Sequence, residues 1–161
     1  RSLRPDVVMY SSVISACEKG SQWARGLHVF AEMRRSRVRP NRVTFNATIS
    51  ALEKGLEWSW ALWLLGDMQR NSVLPSVITY NASLSACEKC KQWEKALGLL
   101  AEMRLKVLQP DVITHSAAIS ACEKGQQWEP ALNILGEMRR SGLRPNMITM
   151  NAAISACEKC E

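Results

Sequence analysis

The chain has 161 residues and a formal charge of +6, from 21 Lys and Arg against 15 Asp and Glu. That length suits one domain, and an apolar content of 47% is ample for a core, while a charged fraction of 22% and six tryptophans exclude a disordered chain. The longest uncharged stretch, residues 71–87, is broken by Pro75 and other polar side chains and excludes a membrane span.

Residues 1–6 (Arg-Ser-Leu-Arg-Pro-Asp) read like the end of an earlier unit, since Leu143-Arg144-Pro145-Asn146 repeats their pattern. From Val7 onward, Tyr10, Val13, Ile14 and Cys17 stand at i, i+3, i+4 and i+7, one face of a first helix. Gly20 interrupts it, and the polar residues that follow make a turn. Trp23, Leu27, Phe30 and Met33 then form the stripe of a second helix. Arg34 and Arg35 suit the negative end of that helix, and Pro40-Asn41 closes the unit.

The same elements return every 35 residues, with Pro5, Pro40, Pro75, Pro110 and Pro145 marking the period. Trp23, Trp58, Trp93 and Trp128 keep it, as do Met33, Met68, Met103 and Met138. Pro130 is tolerated because it falls in the first turn of a second helix. Small residues at Ala24, Ala61, Ala96 and Ala131 let helices approach closely, although Gly26, not Ala24, holds the slot of the other three. Four full hairpins are expected, at 7–41, 42–76, 77–111 and 112–146, with residues 147–161 the first helix of a fifth. The fold class is all-α, a stack of helix pairs that bury their apolar faces only against neighbours. Both ends break within a unit and there is no initiator Met, so the chain is expected to be an excerpt from a longer array. Its last helix should fray, because the apolar slots of Ile154 and Cys157 lack a following helix.

Val77-Ile-Thr-Tyr-Asn81, Ala96-Leu-Gly-Leu-Leu-Ala-Glu-Met103 and Gln109-Pro110-Asp111 resemble the pentatricopeptide repeat over essentially the whole chain. The resemblance implies a right-handed superhelical solenoid whose first helices bind single-stranded RNA, one base per repeat. It implies base reading by the fifth residue of each unit (Ser11, Asn46, Asn81, Ser116, Asn151) and by the last (Asn41, Ser76, Asp111, Asn146). It implies that the aliphatic second residues, Val8, Val43, Ile78, Ile113 and Ile148, pack against bases. Phosphate contact falls to Lys19, Lys54, Lys89, Lys124 and Lys159. Under the family's code the four complete pairs read 5′-ACUA-3′. Four lysines displacing one counterion each would give a log–log salt slope of about −3. The family works mostly in mitochondria and chloroplasts, in RNA processing, stability, editing or translation, with other RNA-processing proteins as further partners. The resemblance brings no cofactor, membrane or small-molecule substrate.

Each signal also has a plainer reading. The Asn, Ser and Asp after each proline are good helix N-caps. A lysine near the end of each first helix suits the helix dipole as well as a phosphate. Cys87-Glu-Lys-Cys90 and Cys157-Glu-Lys-Cys160 have zinc-like spacing, but Cys17, Cys87, Cys122 and Cys157 share one apolar slot, so they read as core thiols of a reducing compartment. The Trp slot reads as inter-helix core, and Trp60 and Trp63 as surface or packing variants. His115 takes the core slot of Tyr10, Phe45 and Tyr80, whereas His28 is expected at the surface. The sequons at Asn46 and Asn81 arise from the repeat itself. No catalytic grouping is visible, so this stretch is read as a binding module and not an enzyme. The alternatives are a tetratricopeptide-like scaffold for protein partners, or the targeting arm of an enzyme whose catalytic domain lies elsewhere.

Overall fold

Apolar residues three and four apart bury one stripe per helix, and the chain folds accordingly. The computed structural model describes residues 5–158, and there it is helical throughout, with no strand. The helices are α1 (Val7–Lys19), α2 (Trp23–Arg35), α3 (Arg42–Lys54), α4 (Trp58–Arg70), α5 (Val77–Lys89), α6 (Trp93–Leu105), α7 (Val112–Lys124), α8 (Trp128–Arg140) and α9 (Met147–Glu158). The all-α expectation holds among the described residues. Lys159, Cys160 and Glu161, and residues 1–4 of the expected leading segment, lie outside them.

Helices α1, α3, α5 and α7 each end in a Schellman motif. After α1, Gln22 N–H donates to the Cys17 carbonyl and Ser21 N–H to the Glu18 carbonyl. The left-handed residue is not the glycine expected to break the helix but its successor, at Ser21 (φ 52°), Leu56 (φ 60°) and Gln126 (φ 57°). The glycines serve packing instead. A Cβ on Gly55 would lie 2.4 Å from the Trp23 ring, and one on Gly125 would lie 2.3 Å from that of Trp93. Trp23 and Trp93 thus each lie on the turn of the next hairpin.

The chain divides into two compact units, one ending at Ala86 and the other starting at Cys87, within α5. In the first, α1 packs on α2 and α3, and α3 on α4. Ile14, Phe30, Phe45, Ile49, Leu52, Leu64 and Met68 form its core, with Phe30 and Phe45 edge-to-face at 5.2 Å. Arg34 on α2 reaches the buried carboxylate of Asp67 on α4 at 2.7 Å. In the second unit α7 packs against α6, α8 and α9, and Ile119, Cys122, Ala131 and Met138 are buried. Arg104 pairs with Glu137 there, repeating the contact between consecutive second helices.

Three expected core positions depart from the pattern. Val13 is 42% exposed because, among the described residues, no hairpin precedes α1 to cover it. Ile154, whose counterpart Ile119 is fully buried, is 52% exposed because no described helix follows α9. Trp128 is 43% exposed, and the turn its counterparts lie on would fall in residues beyond 158. Ala24 is exposed as well, since Gly26 occupies the close-approach slot and is buried.

Candidate functional site

Fully burying a Val or Ile side chain is worth about 1.5–3 kcal/mol, so a hydrophobic residue held out at every repeat requires a reason. Val8, Val43, Ile78, Ile113 and Ile148 are 59 to 68% exposed, all at the second position of a first helix. Single exposed apolar residues are unremarkable, whereas a periodic set is a surface.

Between two of them the first unit has a groove of about 500 Å³, within the range of small-ligand clefts. Its lining includes Val8, Val43, Ser11, Asn41 and Lys19, so every residue type expected to hold a nucleotide meets in one place. In the second unit Ile148 and Asn151 line a hollow of about 400 Å³ with Glu123 and Ser155.

The last residues are helix caps. Asp6, Asn41, Asp111 and Asn146 each accept, through Oδ1, the backbone N–H three residues on, at 2.8 to 3.0 Å. At Asn41 and Asp111 the threonine three residues on also accepts the cap's own N–H, closing a capping box. The cap does not exhaust an asparagine. With Oδ1 held by the helix, the Nδ2 donor of Asn41 is left over on a residue that lines the groove.

The fifth residues are less open than expected. Ser11 and Ser116 are buried and bonded to threonine hydroxyls, while Asn46 and Asn81 are half-buried and Asn151 is exposed. The threonines, Thr44, Thr79, Thr114 and Thr149, went unnoticed in the sequence although they too keep the 35-residue period.

The lysines carry a second surprise. Lys54 Nζ lies 3.0 Å from Glu18 Oε1 and also donates to the Glu18 carbonyl at 3.1 Å. Lys124 pairs with Glu88 in the same register. Ser85 and Ser155 donate to Glu53 and Glu123 at 2.8 and 3.0 Å. The Glu of one first helix is therefore an inter-repeat clasp for the Lys or the Ser of the next. Lys19 and Lys89 are exposed, and Lys159 lies outside the described residues.

Among the described residues, no cysteine or histidine lines either groove. Burial pushes the Cys87 thiol up to about 12, with Cys90 adding to the effect, and burial alone takes Cys122 to about 11. Both are core thiols held neutral. His115 is buried, with Nδ1 2.8 Å from the Asp111 carbonyl, so Nδ1 is the donor. His28 is exposed. Trp60 and Trp63 are exposed and meet edge-to-face at 5.7 Å on α4, with Arg70 over Trp63.

The sequence matches the PPR repeat family over residues 5–54 and 75–124, and the PPR repeat over residues 43–73 and 113–143. None of the curated proteins matches it. Among solved structures it is similar to PPR10 in complex with an 18-nt psaJ RNA element, at 27% identity and a TM-score of 0.83. That alignment covers 99% of this chain and 24% of PPR10. A second structure of PPR10, from maize, aligns at 22% identity and a TM-score of 0.84, over 98% of this chain and 23% of that one. The PPR domain of Arabidopsis thaliana protein-only RNase P 1, in complex with tRNA, aligns at 15% identity with a TM-score of 0.84, over 95% of this chain and 81% of that domain. The fold class that these matches share is the all-α helical-repeat solenoid.

Proposed function

We propose that this chain, which belongs to the pentatricopeptide repeat family, binds single-stranded RNA along its first helices, one base per repeat. The observation that carries the reading is the groove in which exposed Val8 and Val43 face each other around Ser11, Asn41 and Lys19. Two aliphatic walls suit the faces of a planar base, a hydroxyl and an amide suit its edge, and a cation suits its phosphate. PPR10, whose solved structure holds an RNA, supports the partner class. The chain spans about a quarter of PPR10, so the task of the parent protein is part of the proposal: RNA processing, stability, editing or translation in mitochondria or chloroplasts.

The letters carried over from the resemblance are A for Ser11/Asn41, C for Asn46/Ser76, U for Asn81/Asp111 and A for Ser116/Asn146. Four letters recur about once in 256 random nucleotides, so affinity from this stretch is modest and useful specificity needs further repeats. The test is fluorescence anisotropy of the 161-residue chain against labelled RNAs carrying ACUA, single-letter variants and the same sequence as duplex. Preference for the single strand, with loss at each substituted letter of about 1–3 kcal/mol, is expected. Equal binding to duplex, or no letter dependence, overturns it.

A further inference from the structure

In three repeats a threonine hydroxyl stands between the two residues proposed to read the base. In repeat 1, Ser11 Oγ is 2.8 Å from Thr44 Oγ1, which donates to Asn41 Oδ1 at 3.0 Å. In repeat 2, Thr79 Oγ1 donates to Asn46 Oδ1 at 2.7 Å and lies 3.2 Å from Ser76 Oγ. In repeat 4, Ser116 Oγ is 2.7 Å from Thr149 Oγ1, which donates to Asn146 Oδ1 at 2.8 Å, while Ser116 gives its own proton to the Val112 carbonyl at 2.7 Å. The threonine is fully buried each time.

Counting protons fixes the direction of the chains in repeats 1 and 2, because each hydroxyl has one proton and an amide oxygen only accepts. In repeat 1 Asn41 Oδ1 also caps α3, so it points inward and takes the Thr44 proton. Ser11 must then give its own proton to Thr44. What remains for a ligand is a lone pair on the fifth residue, Ser11, and an Nδ2 donor on the last, Asn41. In repeat 2 the Thr79 proton goes to Asn46 Oδ1, and Ser76 gives its proton to Thr79. The pattern is reversed, with the Nδ2 donor on the fifth residue, Asn46, and the lone pair on the last, Ser76.

We propose that the third-position threonine is a specificity-setting positioning residue, whose single proton decides which reading residue offers a donor and which an acceptor. The inference rests on the RNA-reading proposal above. Its consequence is clearest for pyrimidines. Cytosine offers an N4 donor beside an N3 acceptor, and uracil offers an O4 acceptor beside an N3 donor. A donor–acceptor pair frozen by Thr79 therefore suits one and opposes the other. Without that hydroxyl the Asn46 amide can turn over, Ser76 can donate, and both pyrimidines are served.

The experiment compares the unmodified chain, Thr79→Val and Thr79→Ser by anisotropy, on RNAs that differ only in C or U opposite repeat 2. Thermal melts by circular dichroism accompany each variant. The unmodified chain should favour C by about fivefold or more. Thr79→Val should bring the two within about twofold and leave the first letter unaffected, and Thr79→Ser should restore the preference. A folded Thr79→Val that keeps the preference overturns the inference, as does a Thr79→Ser that loses it equally. If Thr79→Val does not stay folded, Thr44→Val decides at the first letter, where Ser11 loses the acceptor for its proton. An unmodified chain with no letter preference sinks the RNA-reading proposal itself, before any variant is measured, and this inference with it.

Discussion

Replacing Glu18 and Glu88 by Gln should tighten RNA binding and steepen its salt dependence, because each of these carboxylates now holds a lysine proposed to meet phosphate. Lys54 and Glu18 are 3.0 Å apart with side chains 38% and 25% exposed, a setting in which ion pairs are worth about 0.5–1 kcal/mol. A lysine that turns to phosphate gives up that much, so its removal in advance should raise affinity roughly two- to fivefold per pair. The salt slope is the more diagnostic quantity. A lysine on a single-stranded phosphate releases about 0.7 of a counterion, but the carboxylate it leaves behind gathers cations again and cancels most of that term. The unmodified chain should therefore fall short of the slope of about −3 expected from four unencumbered lysines. The double variant Glu18→Gln/Glu88→Gln should recover about −1.4 of it, at about −0.7 per lysine. Anisotropy titrations from low to moderate KCl measure both effects. If the double variant leaves affinity and slope where they were, the clasped lysines do not touch RNA and their role is to join repeats.

Gly26→Ala should raise stability by about 0.5–1 kcal/mol in urea unfolding, because the added Cβ would meet Cys17 and Ala51 at ordinary distances of 3.6 and 3.8 Å. Val107 is a β-branched residue at φ 59°, where repeat 4 has Gly142 at φ 74°. Val107→Gly should therefore raise the thermal midpoint, by relief of about 1–2 kcal/mol of left-handed strain less the entropy cost of glycine. Cys87 and Cys122 rise from 9.0 to about 12 and about 11 in the folded chain. Their neutral form thus stabilises the fold fully below pH 9, and that contribution is lost as pH climbs through 11 to 12. Thermal midpoints should fall across that window, and Cys87→Ala/Cys122→Ala should flatten the dependence; an unchanged pH profile in the double variant would remove the thiols as its cause.

The helices were legible in the sequence because burial is written in apolar spacing, and Ile14, Phe30 and Met33 declare their faces without help from the rest of the chain. What spacing cannot show is whether a neighbour is there to cover a face. Val13 and Ile154 carry the same signal as their buried counterparts and yet lie exposed. The second use of the turn was hidden for a different reason. Gly55 ends its helix as expected, but it also leaves space for Trp23, a residue 32 positions earlier. The site was half legible. Its exposed aliphatic residues, fifth residues and last residues follow from the family pattern. Thr44 did not stand out, and Glu18 showed only as part of a Glu-Lys pair recurring every 35 residues, since the role of neither can be read until the partners 33 and 36 residues away are seen.

Capping and base reading looked like rival accounts of the residue after each proline, and the geometry removes the rivalry. A cap needs only the oxygen of Asn41, and once that oxygen is pinned between the Thr44 N–H and hydroxyl, the amide nitrogen has one direction left. The bond that starts the helix therefore also orients the donor that the proposed reading offers to a base. An isolated asparagine on a surface could present either end of its amide, at an entropic cost on binding. Here folding has already met that cost, so the preference for one edge is built before a ligand arrives. The same logic predicts that asparagine and aspartate are not interchangeable in the proposed base reading although both cap well. With one oxygen committed to the helix, the first has a donor left and the second an acceptor. Substitution between Asn and Asp can thus leave the helix start intact while reversing the hydrogen-bonding character of the atom that remains.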